Sequence, residues 1–496
     1  MAEMKGLVKD TAIYGVSSIL GRFLNWGLSP FYTYVLKDTV DFGIQSELYA
    51  WSALIMILLT YGMETGFFRF ANKHEDKASK VYTTSLISLA TSSLLFIVLL
   101  SLSLTPISGW LHYEINKDFV WMMGFTVAID AFCAIPFAWI RFKKRPIFFA
   151  AIRMSMILVN IFFNIFFLLI CPKLQLTHPE WISWFYRPDY GVGYIFLANV
   201  FSTLFGMLLL ATTFLRIRWI FDSTLFRSML RYSLPLLLLG LTGIMNQSLD
   251  KMILKYLLGG GSYGLSELGI YTACFKLGIV MMMFTQAFRY AYEPFVFSRQ
   301  KKAGGNGAYV QAMKYFIIFS VFVLLGVMYY LDILKLLINH KYWVGLKVVP
   351  IVVVTYIFQG ISFNLSFWYK LSDKTNWGAI ISVIGFVVTV AGNLLFVPMY
   401  GYIASAWTSF VCFLLMMILS WALGQKFEPI PYDMKSALKY FVLAVVFYVV
   451  GMNVPIEHLG LRLLFRTLLL SGFVFLVIRQ DLPWKSMPVL SRFARK

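Results

Sequence analysis

The sequence predicts an all-α polytopic membrane protein of about fourteen transmembrane helices, and three observations carry that class. Of its 496 residues, 59% are hydrophobic and only 13% are charged, about half the charge fraction of a soluble domain. Apolar runs of about 20 residues, the length that crosses a ~30 Å hydrocarbon core, recur along the whole chain and leave no room for a large soluble domain. The basic residues, finally, fall mostly in alternate loops.

Taken in order, the runs place spans at 10–36, 44–68, 82–106, 119–140, 147–170 and 191–214, then at 233–258, 268–290, 313–331, 347–370, 377–397, 402–423, 437–453 and 460–478. No short apolar stretch with a small-residue cleavage site precedes the first, so "MAEMKGLVKDTAIYG" is expected to be retained. One set of loops carries only scattered cations: Lys37, Lys117, Lys173, Arg187, Lys335, Lys341 and Lys347. The other set carries "RFANKHEDKASK", "RFKKRP", "RIRW", "RSMLR", "SRQKK" and the tail "SRFARK". Basic loops stay in the cytoplasm, which puts both termini there. Most of the net charge of +20 is thereby topogenic, and nucleic acid is not implied as a partner. Cys133, Cys171, Cys274 and Cys412 lie in or beside apolar runs without metal spacing, so they read as small buried hydrophobes.

The chain also repeats itself. Trp139 stands 25 residues before Asn164, and Trp368 stands 25 residues before Asn393. Each run closes on a proline, Pro172 or Pro398, and each restarts on Tyr-Gly, in "YGVGYIFLAN" and "YGYIASAWTS". The register predicts two pseudo-symmetric six-helix lobes, 1–220 and 221–425, with a terminal helix pair and basic tail over 426–496. Such parallel repeats place the substrate site between the lobes, near the midplane.

On "KDTAIYGVSSILGRFLNWGLSPFYTYVLKDTVDFG", "YGMETGFFRFA", "LDKMILKYLLGGGSYGLSELGIYTACFKL" and "AGNLLFVPMYGYIASAWTS", the chain resembles the polysaccharide-exporter (Wzx-type flippase) branch of the multidrug/oligosaccharidyl-lipid/polysaccharide (MOP) superfamily. The likeness covers essentially the whole chain; "YIASAW" departs from the Gly-Ala-Ala usual after Tyr-Gly. What the resemblance implies is a V-shaped, two-lobe transporter in the bacterial inner membrane. It would flip an undecaprenyl-diphosphate-linked oligosaccharide outward by alternating access, as a monomer among membrane lipids. A proton or sodium gradient, or the membrane potential, would drive it. The same superfamily leaves open a lipid II flippase or a cation-coupled multidrug exporter.

Depth along each span, at about 1.5 Å per residue, sorts the charges. Arg22 lies roughly 17 Å into span 1 and shares a helical face with Ser18, Asn25 and Ser29. Asp130 lies near the midplane of span 4, and Arg153 about 10 Å into span 5. Buried charges of this kind face a bundle interior or a wet cavity. Either Arg22 and Asp130 form a static ion pair, or Arg22 and Arg153 line a cationic cavity whose guanidinium forks match phosphate oxygens. Glu64, Arg69 and Arg289, near the cytoplasmic ends of spans 2 and 8, are candidates for a gate or simply snorkel to the headgroups. In the second half, Asp250 and Lys276 lie at matching depth on spans 7 and 8, which suggests a structural or coupling ion pair. Lys251 and Lys276 are the further headgroup candidates; Asn246, in one row with Asp250, and Gln247, in the neighbouring row with Lys251 and Lys255, are candidates for polar cavity lining. Lys251 and Lys255 either guide a diphosphate outward or snorkel.

No constellation for catalysis competes. The five histidines, His74, His112, His178, His340 and His458, all fall in loops without metal spacing, and no Walker-type glycine loop is present. No cofactor is implied, and ATP is not expected to drive the protein directly. A membrane glycosyltransferase or polymerase would need catalytic residues in a large external loop. The longest, near 172–190, offers only His178, Glu180, Arg187 and Asp189.

Overall fold

Helix starts and stops follow from local chemistry, and the helices lie over the apolar runs, some of them, such as the one over Ser223–Leu257, beginning up to ten residues before the expected span. The computed structural model describes residues 20–73, 75–215, 217–299, 306–372 and 374–481, and within these it is helical with no strand. Residues 20–35 form α1, the visible part of the first span. Asp38 then caps α2 (Thr39–Thr60), its carboxylate accepting from the amides of Val40 and Asp41 at 2.9 and 3.1 Å, which satisfies two of the orphan N–H groups of the first turn. Span 2 breaks at Tyr61 and Gly62, with φ of +33° and +70°, and resumes as α3 (Met63–Lys73). Glycine tolerates that left-handed backbone, and the break sets Glu64 and Arg69 on a separate short helix.

The chain continues through α4 (Ala78–Leu102), α5 (Leu104–Trp110), α6 (Lys117–Phe142) and α7 (Pro146–Ile165). A π-helical turn, Phe166–Ile170, follows α7 and leads through Pro172 into α8 (Cys171–Thr177) and the short α9 (Pro179–Ile182). Then come α10 (Gly193–Phe214) and α11 (Ser223–Leu257), the latter capped by the Asp222 carboxylate on the Leu225 amide at 2.9 Å. The remainder comprises α12 (Ser262–Arg299), α13 (Asn306–Tyr329), α14 (Leu331–Leu334), α15 (Val349–Leu365), α16 (Phe367–Leu371), α17 (Thr375–Tyr400), α18 (Tyr402–Phe427), α19 (Met434–Asn453) and α20 (Leu459–Gln480).

Among the described residues, thirteen stretches are long and apolar enough to cross a membrane. They coincide with the second to fourteenth spans expected from hydropathy, while the first span begins outside the described residues.

Contacts divide the chain into two units. The first comprises Met1–Ala273 with Ser382–Thr408, and the second Cys274–Ile381 with Ser409–Lys496. In the first unit, α6 and α7 pack on α10, and α11 packs on α2. Its core joins Met63, Phe67, Tyr82, Ile135, Leu210 and Met229, with the Tyr82 and Trp139 rings stacked at 4.5 Å. In the second unit, α13 is held by α15, α19 and α20.

The repeated residues fold alike. Asn164 and Asn393 are both fully buried, and each donates its side-chain amide to the carbonyl four residues earlier at 2.8 Å. Gly191 and Gly401 both take a left-handed φ, +48° and +64°, at the turn into the following span. At the Asn and Gly positions, the register therefore marks one local structure used twice.

Candidate functional site

The first unit gathers the deep charges around the contact of α1 with α7. A Cβ on Gly21 would stand 2.9 Å from the Ile157 side chain, so glycine lets α1 approach α7 closely. Arg22 follows Gly21, and Arg153 precedes Ile157 by one turn, so both guanidinium-bearing positions flank that contact. Arg22 is exposed and makes no hydrogen bond or ion pair among the described residues. Arg153, also exposed on its helix, lies 3.9 Å over the Phe137 ring, a cation–π arrangement. Asp130 accepts a hydrogen bond from the Thr203 hydroxyl at 3.2 Å and interacts electrostatically with Arg153.

The alternative in which Arg22 is locked to Asp130 is therefore not realised, because Asp130 finds its hydroxyl donor on α10 and its counter-charge on α7. Of the other residues expected on the Arg22 face, Asn25 is exposed and Ser29 buried, while Ser18 lies outside the described residues.

The gate candidates all have partners. Glu64 forms an ion pair with Arg141, a residue counted beforehand only as loop charge, and Arg141 lies 5.1 Å over Phe68. Arg69 stacks 4.1 Å over Tyr232. In the second unit, Arg289 stacks 4.1 Å over Phe363.

On α11, Asn246 and Asp250 share a buried row, and Gln247 and Lys251 lie on the neighbouring one. Asp250 is buried and accepts from the Tyr271 hydroxyl at 2.7 Å and from Lys251 at 3.2 Å. Lys251 turns back to the Gln247 carbonyl at 2.9 Å. The partners of Asp250 within its own unit are Tyr271 and Lys251, and Lys276 is half-buried in the second unit. Asn246 is buried and donates to the Ser382 carbonyl at 3.1 Å, whereas the Gln247 side chain is exposed.

Lys255 does not snorkel. It is fully buried and donates to Glu47 at 2.9 Å and to the Leu111 carbonyl at 2.7 Å. Glu47, itself fully buried, also accepts from Tyr113 at 2.6 Å and Tyr256 at 2.8 Å. Burial, with the Glu47 charge beside it, pushes the Tyr113 phenol well above its ordinary value, so it remains a donor.

Glu47 lies near the expected external end of its span, so depth alone does not single it out. Its signal was a lone acid within the apolar "FGIQSELYAWSALIMILL", which by itself marks an intramembrane functional candidate. Next to it, α2 meets α12 backbone to backbone: a Cβ on Gly43 would lie 2.0 Å from the Leu265 carbonyl, and one on Gly269 2.0 Å from that of Thr39. Hydroxyl pairs, Thr39 with Ser266 at 2.6 Å and Ser46 with Thr272 at 2.8 Å, flank the crossing.

Residues 7–299 match the family described as "Polysaccharide biosynthesis protein". A search of curated proteins finds no match to the chain. Among solved structures, the chain is similar to the lipid II flippase MurJ in an inward closed conformation, with 11% identity and a TM-score of 0.72 over 94% of this chain and 99% of that one. An inward-facing multidrug resistance MATE family transporter of the MOP superfamily aligns with 13% identity and a TM-score of 0.61, over 88% of this chain and 96% of that one. A Vibrio cholerae MATE transporter aligns with 14% identity and a TM-score of 0.56, over 88% and 98%. At such identities the likeness is one of fold.

Proposed function

Because the chain belongs to the polysaccharide biosynthesis protein family and has the fold of MOP-superfamily transporters, we propose that it is a flippase. In this reading it carries an undecaprenyl-diphosphate-linked oligosaccharide from the cytoplasmic to the external leaflet of a bacterial inner membrane by alternating access. Both termini then lie in the cytoplasm, and an ion gradient or the membrane potential supplies the drive.

One observation supports the reading: Arg22, exposed beside Arg153 at the α1–α7 contact, makes no hydrogen bond or ion pair among the described residues. A guanidinium kept free of carboxylates is suited to a substrate's phosphate oxygens. A cation exporter would instead place net negative charge at such a depth.

The test is translocation by the purified protein in liposomes. Movement of an undecaprenyl-diphosphate glycan that is absent from protein-free liposomes supports the proposal. No movement, together with normal export in a deletion strain, overturns it. The alignment with a lipid II flippase over 94% of the chain favours one second reading, transport of the peptidoglycan precursor. Depletion separates the two: lysis points to lipid II, and loss of surface glycan with intact walls points to the polysaccharide substrate.

A further inference from the structure

We propose that Lys255, Tyr113 and Tyr256 form a second anion site, one that takes the phosphate of the translocated substrate and that the Glu47 carboxylate fills internally in this structure. The proposal rests on the flippase reading for the identity of the anion, and on geometry for the site.

Three donors from two segments, the end of α11 and the turn between α5 and α6, converge on one carboxylate: the Lys255 ammonium at 2.9 Å, the Tyr113 hydroxyl at 2.6 Å and the Tyr256 hydroxyl at 2.8 Å. Converging charged and hydroxyl donors in a dry enclosure suit a phosphate oxygen as well as a carboxylate oxygen. Two more donors beside them go unused. The Trp51 indole N–H, one turn from Glu47 on α2, is buried without an acceptor, and so is the Ser108 hydroxyl. Ser108 belongs to the same turn, its carbonyl accepting from the Tyr113 amide at 2.7 Å. Buried donors without partners are few in native proteins and point to an unfilled role.

The enclosure is also walled by rings. Trp51 meets Trp110 edge-on at 5.4 Å, Trp110 stacks on Tyr256 at 6.3 Å, and the His112 ring lies 5.8 Å from Tyr256. Aromatic faces of this kind suit the sugar that follows the phosphate.

Placement agrees with a role late in transport. Lys255 is within the last turn of α11, and Glu47 lies about 12 Å from the start of α2, the end that basic-loop asymmetry puts outside. An anion cannot enter while Glu47 stands there, because like charges repel in a dry site. Glu47 must swing away first, and its return expels the substrate's phosphate. The carboxylate thereby acts as the occupant of the empty carrier.

The experiment removes the internal occupant and supplies an external one. Full-length Glu47→Ala protein, in phosphatidylcholine nanodiscs, is melted with and without inorganic pyrophosphate. The expected result is a lowered midpoint that pyrophosphate raises by a few degrees in a saturable way, with a far smaller response in the wild type. No response is expected in Glu47→Ala/Lys255→Met. Glu47→Gln serves where the alanine variant fails to fold.

An equal response in wild type and variant, a response retained without Lys255, or rescue by acetate but not pyrophosphate overturns the site. Rescue by phosphatidylglycerol nanodiscs without pyrophosphate assigns the cradle to a lipid headgroup and overturns the substrate assignment. Binding is read without translocation, so a protein that binds but does not flip keeps this site while the flippase reading fails.

Discussion

Arg22 and Lys255 are both cations within apolar helices, yet their surroundings predict opposite consequences of substitution. Arg22 is exposed and makes no hydrogen bond or ion pair among the described residues, so Arg22→Ala should shift unfolding by no more than about 0.5 kcal/mol while abolishing glycan export. Arg22→Lys should also be impaired, since one ammonium does not reproduce the planar fork. Wild-type surface glycan in Arg22→Ala cells removes this residue from the substrate path. Lys255 is enclosed against Glu47 with both side chains at 0% exposure. Lys255→Met alone leaves a buried carboxylate and should cost about 3–5 kcal/mol. Glu47→Leu/Lys255→Met should recover most of that loss, as read by the thermal midpoint of purified protein.

Between elements, two devices carry stability, and each is open to test. The crossing of α2 with α12 depends on Gly43 and Gly269, because a methyl at either would meet a backbone carbonyl at 2.0 Å and backbone cannot yield as a side chain does. Gly269→Ala should therefore destabilise by about 1–3 kcal/mol or more and lower the yield of folded protein on size exclusion. The terminal helices α19 and α20 are tied to α13 at both ends. Asp332 binds Arg462 and Arg466 at 3.0 Å each, and Arg466 also donates to the Gly451 and Tyr329 carbonyls. At the other end Asp481 binds Lys314 at 2.5 Å and Lys439 at 3.1 Å, and accepts from Tyr440. Burial raises the Asp481 carboxyl, but its hydrogen bonds from Lys314, Tyr440 and Lys439 more than offset this and hold it at about 2. A depressed carboxylate stabilises in full above its unfolded value of about 3.9 and loses that contribution as pH falls toward 2. Asp481→Asn should thus cost about 2.5 kcal/mol at neutral pH. The wild-type midpoint should fall toward that of the variant between about pH 4 and 2.

For the molecule as a whole, the orientation is the prediction. A single cysteine replacing Trp181, exposed on α9, should react with a membrane-impermeant maleimide in intact cells of a cysteine-free background. One replacing Lys143, between α6 and α7, should react only after permeabilisation; the reverse pattern inverts the topology and with it the direction of transport. The membrane class and thirteen of the spans were legible in the sequence because each span needs only enough consecutive apolar residues, a property summed along the chain and indifferent to partners. The repeat was legible for a related reason: Asn164 and Asn393 each bond their own helix, so one local pattern recurs wherever that local structure does. Pairing was not legible. Depth arithmetic located Asp250 along its helix but not around it. It could not show that Tyr271 would answer it, that Arg141 would answer Glu64, or that Glu47 would gather Lys255 and two tyrosines. Those contacts join residues 21, 77 and 208 positions apart, and only helix packing decides which faces meet. Composition and periodicity thus determined what crosses the membrane, whereas tertiary structure decided which charges are spent on each other, because only helix packing fixes which faces meet.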